Sequence, residues 1–333
     1  MNSFINGSEE YVDEMLNGIL LAHAEYQQIA GHPRSVKWTP SPFPGKVAIV
    51  TGGGSGHLPL FLGFVGDGLC DAVAVGNVFS SPSSTTVAEV ARAVHGGRGV
   101  LFVIGNYFGD QMNFEEAADM LQDEGIEAQV VRVTDDIASA PPEMQGDRRG
   151  IAGLAMVYKL LGAAAKEGRS VSELVNLFEK VNQQVKTIGV TLSGCTLPGA
   201  DNPVFSVPEG SIAVGMGIHG EPGIEEVPMM TADELTHSLV NRLLREVDSS
   251  VTNVAVLVNS LGGTPLEELY IIYRSLVHHL QGAFDVKKAL VGRFACSLEA
   301  KGFSISLLPL MDDWAKLLND FAYSPFVNYQ VRG

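Results

Sequence analysis

Apolar residues in the first half of the chain fall into short continuous runs, Val47–Val50, Asp71–Val75, Gly99–Ile104 and Ala128–Val133, separated by stretches of helical spacing. Short runs of this kind are buried on both faces, so the alternation predicts a mainly parallel sheet with helices on both sides. Ahead of it, Tyr11, Met15 and Ile19 with Leu16 and Leu20 recur at three- and four-residue spacing, which predicts a helix lying on a core and places His23 at its boundary. Two consecutive helices are expected at Ile151–Lys166 and Val171–Val185, the second opened by Ser170 with Glu173 three residues on as a capping box.

From Thr187 the pattern changes. Strands are expected at Gly189–Leu192, Ile212–Met216 and Val254–Val258, helices at Asp233–Val247 and Leu266–Leu280, then two strands and a last helix at Asp312–Phe321. The fold class is therefore α/β in two domains, 1–187 with a mainly parallel sheet and 188–333 as a smaller mixed α/β unit. A length of 333 residues with 46% apolar content is enough for each to have its own core.

Three segments break the regular pattern and carry reactive side chains. Gly217-Ile-His-Gly-Glu-Pro-Gly223 holds His219 between glycines and a proline, where neither helix nor strand is expected. Thr51-Gly-Gly-Gly-Ser-Gly-His57 follows a strand and ends on His57, and Asn106-Tyr-Phe-Gly-Asp110 follows another and presents Asp110. Two imidazoles and a carboxylate at strand ends suit covalent and acid/base work on a small polar substrate. The glycine segment is no Walker A loop, since Gly56 is followed by His57 and Leu58, and its spacing misses the dinucleotide fingerprint. A small-molecule loop, a structural turn and a phosphate cradle all stay open on the residues alone. His57 can equally cap a helix beginning near Pro59, and Asp110 can cap one beginning at Gln111. Cys195 lacks any surrounding nucleophile pattern and is expected to be structural.

Net charge narrows the partners. Lys and Arg number 22 against 38 Asp and Glu, a formal −16 that opposes nucleic acid and anionic membrane surfaces. Cys70, Cys195 and Cys296 are too far apart for a disulfide framework or clustered metal site, which suits a reducing compartment and a cytoplasmic protein. Neither a signal peptide nor a run of the roughly 20 apolar residues that span a bilayer is visible, so no secretion or membrane anchoring is expected.

The motifs TGGGSGH, GNYFGD, RRGIAG and GIHGEPG, with Val258-Asn-Ser-Leu-Gly-Gly-Thr-Pro-Leu266 and Ser297-Leu-Glu-Ala-Lys-Gly-Phe303, resemble the substrate-binding subunit of dihydroxyacetone kinases over nearly the whole chain. That resemblance implies a hemiaminal between His219 and the ketone carbon of a triose, with His57 and Asp110 on its hydroxyls. The resemblance also places Gly54, Ser55 and Gly105 at the substrate. It implies that this chain binds no cofactor itself: ATP or ADP with Mg²⁺ comes from a nucleotide-binding partner subunit, with ATP or a phosphotransferase system as the source of phosphate, and the chain forms a homodimer. Two positions depart from the family pattern. Leu58 stands where a glutamate follows the histidine, and Gly105 where a lysine precedes the NYxGD motif; a glycine there is expected to leave room for one more hydroxymethyl group or an ordered water. An unchanged triose kinase subunit, a subunit for a four-carbon ketose such as erythrulose, and a non-catalytic ketose-binding regulator are the three readings.

Overall fold

The computed structural model describes residues 4–221, 223–248 and 250–329. Helix α1 (Tyr11–Ala22) buries Val12 and Leu16. It leads into β1 (Tyr26–Ile29) and β2 (His32–Trp38), then β3 (Ala48–Ser55), β4 (Ala72–Val78), α2 (Ser84–Val94), β5 (Val100–Gly105), α3 (Phe108–Asp123) and β6 (Ala128–Val133). Six strands form one sheet in the order β1-β2-β4-β3-β5-β6. From β4 to β6 the sheet is parallel, and the β1–β2 hairpin extends it antiparallel. That hairpin has no apolar run to announce it: β2 begins His32-Pro33-Arg34 and buries only its later residues, while β1, the edge strand, fully buries Tyr26 alone.

Alternate residues of the central strands face opposite layers. Ala48, Val50, Phe102 and Ile104 pack under α2 and α3, while Ile49, Leu101 and Val103 pack on the other side against α4 (Leu154–Lys166) and α5 (Val171–Gln184). The capping box of Ser170 and Glu173 at the start of α5 is present. Helix α4 is buried at every position from Leu154 to Ala165, because it lies between two sheets.

The second sheet contains β7 (Lys186–Thr191), β8 (Ser211–Val214), β9 (Glu225–Pro228), β10 (Asn253–Ser260), β11 (Asp285–Gly292) and β12 (Gly302–Pro309) in the order β11-β10-β12-β7-β8-β9. Its pairings are antiparallel except β10 with β11. Helices α6 (Ala232–Leu244) and α7 (Leu266–Leu280) cover one face, over Val254, Val256, Val258 and Ile305. The other face contributes Ala255, Leu257 and Leu308 to the same core that holds Ile49 and Leu101. Helix α8 (Trp314–Asn319), β13 (Ala322–Tyr323) and β14 (Asn328–Tyr329) return to that core through Trp314, Leu317, Ala322 and Tyr329. The described residues from 188 onward thus share a helical middle layer with those before it, and the C-terminal residues 314–329 pack with the earlier part of the chain.

Candidate active site

The order β4-β3-β5 means that the chain leaves β3 to one side for β4 and then crosses to the other side for β5. Loops departing such a switch point diverge and open a crevice at the carboxyl ends of the strands. His57 follows β3 there, and Tyr107 to Asp110 follow β5. The segment between β8 and β9 brings His219 to the same place from the second sheet. Its ring centroid lies 4.6 Å from that of His57 and 4.2 Å from that of Tyr107, both edge-to-face.

The glycine segment differs from its expected form. Residues 51–55 are strand, the end of β3, with Gly52 opposite Ala74 and Gly53 opposite Val75. A Cβ on Gly52 would lie 2.5 Å from the Ala74 carbonyl oxygen, and one on Gly54 2.6 Å from the Ser80 nitrogen. These glycines therefore serve close backbone approach, and Gly54 lies against Phe79 and Ser80. Ser55 is buried and donates its hydroxyl hydrogen to Gly76 O at 2.8 Å. No α-helix begins at Pro59; a single 3₁₀ turn at Leu62–Phe64 follows, so His57 caps nothing.

His57 is 1% exposed. Its Nδ1 lies 2.8 Å from Cys296 O. A carbonyl oxygen only accepts, so Nδ1 carries the hydrogen and Nε2 holds a lone pair, buried and without a partner. Burial first, and then the neighbouring His219, lower the His57 pKa to about 3, so the ring is neutral at working pH. Phe79, at φ +56°, stacks on it at 5.0 Å.

Asp110 lies in the first turn of α3, whose N-cap is Tyr107, so it is not the cap. It is 3% exposed and its Oδ1 has no partner. Burial raises its pKa to about 6, against the Ser81 hydroxyl and the His219 ring, which pull it down. At neutral pH it is an ionised carboxylate, more basic than usual, with a free oxygen.

His219 lies in a stretch with neither helix nor strand. Its backbone N–H donates to Glu221 Oε2 at 2.9 Å, and its Nδ1 faces Glu221 Oε1 at 3.8 Å. Burial pushes the Glu221 pKa up, but the hydrogen bond and charge of His219 and the charge of Arg149 outweigh it and bring the group to about 2. Arg149, from the RRGIAG motif, reaches Asp136 Oδ2 at 2.7 Å and Gly215 O at 2.8 Å.

Gly105 ends β5, and the space beside it is filled. A Cβ there would meet the Tyr107 ring at 3.0 Å and Gly150 O at 3.3 Å. The expected room for a further hydroxymethyl group is occupied by Tyr107, whose own hydroxyl is buried without a partner. Leu58 packs toward the core. Tyr107, Phe79 and Arg149 are the site residues that pattern reading missed; RRGIAG was visible as a motif, but nothing in its spacing says where an arginine points. Cys195 is buried beside Met216, Leu261 and Ala300 with its thiol pKa raised by burial, a packing residue. His23 ends α1 with its ring against Tyr26 and Phe326. An apolar groove lined by Val190, Ile212, Met230, Leu235, Ile272 and Phe303 lies elsewhere, between the second sheet and helices α6 and α7. Its hydrocarbon walls do not suit acid–base chemistry, whereas the histidine pair supplies groups that could carry it. Among the described residues, no group of three or more His, Cys, Asp or Glu side chains is placed to hold a metal, and no helix is long and apolar enough to cross a membrane.

The chain is similar to known proteins in sequence and fold. The chain is 43% identical to an L-erythrulose kinase of Pectobacterium atrosepticum over 94% of its length, but spans only 54% of that enzyme. It is 40% identical to the dihydroxyacetone-binding subunit of a PTS-dependent dihydroxyacetone kinase of Listeria innocua, covering 96% of this chain and 97% of that subunit. The crystal structure of the dihydroxyacetone kinase of C. freundii superposes with a TM-score of 0.90 at 29% identity, over 99% of this chain and 60% of that one. Residues 17–326 match the model of the Dak1 domain, and the chain belongs to that family.

Proposed function

We propose that this chain is the ketose-binding part of a dihydroxyacetone-type kinase. It holds dihydroxyacetone or a close analogue as a hemiaminal on His219 and presents a terminal hydroxyl for phosphorylation. The Nε2 lone pair of the His219 ring forms the new N–C bond while the carbonyl π pair moves onto oxygen. In net balance one proton passes from Nδ1 to that oxygen and nothing leaves. Only an aldehyde or ketone reacts this way, so the step selects a ketose over glycerol, which offers similar hydroxyls.

The observation that carries this reading is the pair of unpartnered buried acceptors beside His219: Nε2 of His57 and Oδ1 of Asp110. Buried polar atoms without partners are rare unless a ligand completes them. Both accept a hydroxyl hydrogen, but their basicities differ. With a pKa of about 6 Asp110 is the general base on the attacking hydroxyl, whereas His57, at about 3, orients and accepts without taking the proton. A regulator that merely sensed the carbonyl would need His219 alone; the two free acceptors support transfer.

The phosphoryl donor is ATP, or ADP rephosphorylated through a phosphotransferase system, carried with Mg²⁺ by a nucleotide-binding partner subunit. The Listeria relative, matched along nearly its whole length, is named as a binding subunit and supports this division. A four-carbon ketose is the second reading, supported by the relative named as an L-erythrulose kinase. The exposed side chains of Met229, Leu266, Tyr270 and Ile271 offer a surface for a second copy of the chain. All three cysteines are buried and free, in keeping with a cytoplasmic site of action. The test is carbon NMR with dihydroxyacetone labelled at the carbonyl carbon. The wild type should convert the ketone resonance to a tetrahedral one and His219→Ala should not; an unaltered ketone signal with the wild type removes the proposal.

A further inference from the structure

We infer that Arg149 is the positioning residue of the capture histidine: acting through Glu221, it fixes the ring proton of His219 on Nδ1 and so leaves Nε2 as the attacking atom. The inference rests on the capture reading for its consequence, though not for its geometry.

Arg149 is anchored before its side chain begins. Its backbone N–H donates to Ser139 Oγ at 3.0 Å, and its carbonyl accepts from the Asp136 N–H at 3.1 Å. The guanidinium then lies against Asp136, with Nε 2.9 Å and Nη2 2.7 Å from Oδ2. Asp136 is itself held by the Ala138 N–H on Oδ1 at 3.0 Å. A planar fork pinned in this way has little freedom to rotate.

From that fixed plane Arg149 touches the capture segment at two places. Nη2 donates to the carbonyl of Gly215, where the segment leaves β8, and Nη1 lies 3.8 Å from Glu221 Oε1, beyond His219. One side chain from the first half of the molecule therefore spans the segment of the second half that carries the nucleophile. Gly217 makes room for it: a Cβ there would lie 2.4 Å from Glu221 Oε2 and 2.9 Å from Arg149 Nη1.

Glu221 is the group that acts on the ring. One oxygen holds the His219 backbone N–H, and the other lies 3.8 Å from Nδ1, which is buried and makes no hydrogen bond, so the carboxylate acts on the ring through its charge. A carboxylate favours the tautomer that turns N–H toward it, as in the carboxylate–histidine pairs that orient ligating imidazoles. The remaining neighbours are the rings of His57, Phe79 and Tyr107 and the Asp110 carboxylate. His57 turns a lone pair into the site, so none of these supplies a competing cation. Arg148 provides an internal contrast. It is fully buried and pairs with Glu246 through Nη1 at 2.6 Å and Nη2 at 3.0 Å, tying the two halves together without approaching His219.

The test is the histidine tautomer in the ligand-free protein, read by long-range ¹⁵N–¹H correlation on wild type, Arg149→Lys, Arg149→Gln and Glu221→Gln. The wild type should show a single His219 species with its proton on Nδ1. Arg149→Gln and Glu221→Gln should move the proton toward Nε2 and weaken ketose capture by about tenfold or more, and Arg149→Lys should restore most of both. A wild-type tautomer in Arg149→Gln overturns the inference. If that variant does not fold, Glu221→Gln decides, and a single Nδ1–H species in it overturns the inference equally. Altered tautomers with no adduct in any protein, wild type included, would leave the positioning role standing and remove the capture reading instead.

Discussion

His57 and Asp110 stand on the carboxyl edge of a parallel sheet, fixed by strand pairing and by the first turn of α3, whereas His219 sits in a segment without regular structure. The first pair is shaped by burial, which moves both pKa values toward the neutral form. His219 is held by ionised neighbours, Glu221 and Arg149. A hydrogen-bond acceptor and a base gain from a dry, rigid setting, because desolvation raises basicity in a carboxylate and keeps an imidazole neutral. On the proposed reading, a nucleophile that must form and break a bond to carbon needs an oriented lone pair and room for a tetrahedral centre, and a supported glycine-rich segment suits that role.

The largest effect should come from breaking the rigid side. Asp110→Asn keeps the size of the side chain but takes no proton, so turnover with the partner subunit should fall by about 10²–10⁴-fold. Ketose capture on His219 should persist. Wild-type turnover in this variant would exclude Asp110 as the base. The pH dependence follows from the raised pKa: activity should drop as pH falls through about 6. Stability moves the opposite way. Between about pH 4 and 6 the folded chain holds a proton on Asp110 that the unfolded chain has released, so the stability contributed by the protonated carboxyl is lost as pH rises through 6. Asp110→Asn should therefore be more stable than wild type at pH 8, by something on the order of 2 kcal/mol, with the gap closing near pH 4. Denaturant melts at the two pH values check this, and a gap independent of pH contradicts the burial argument.

A smaller effect is expected where the two sides touch. Tyr107 fills the space beside Gly105 and packs edge-on against His219. Gly105→Lys must move that ring. It should shift kcat/KM toward dihydroxyacetone over erythrulose by about 1–3 kcal/mol if the new ammonium reaches the substrate. An unchanged ratio would mean that residue 105 does not communicate with the pocket. The smallest effect belongs to Ser55, whose hydroxyl serves Gly76. Ser55→Ala should cost about 1 kcal/mol of stability and leave capture untouched; a loss of capture would return Ser55 to the substrate.

Regular elements were legible wherever burial alone dictates the pattern. The apolar runs predicted β6 (Ala128–Val133) and the helical spacing predicted α7 (Leu266–Leu280) with their observed bounds, and Ser170 with Glu173 marked the start of α5. The β1–β2 hairpin and β9 were not legible, because the edge strands β1 and β9 and the half-exposed start of β2 carry too few apolar positions. Thr51 to Ser55 reads as a loop because glycine is a poor strand former, yet pairing with β4 overrides that preference. His57, Asp110 and His219 were visible as reactive types at strand ends. The partners that tune them were not, since Cys296, Arg149 and Tyr107 reach them through contacts that no local spacing encodes. The shared middle layer was hidden for the same reason: nothing local in Trp314 or Leu317 says that they fill the first core.

Selection by covalent capture is read most directly by native intact-mass spectrometry. Wild type, His219→Ala and Asp110→Asn are each mixed with dihydroxyacetone or with glycerol. A mass gain of one ketose is expected on wild type and Asp110→Asn with dihydroxyacetone, none on His219→Ala, and none on any protein with glycerol. A ketose adduct of equal occupancy on His219→Ala would contradict it.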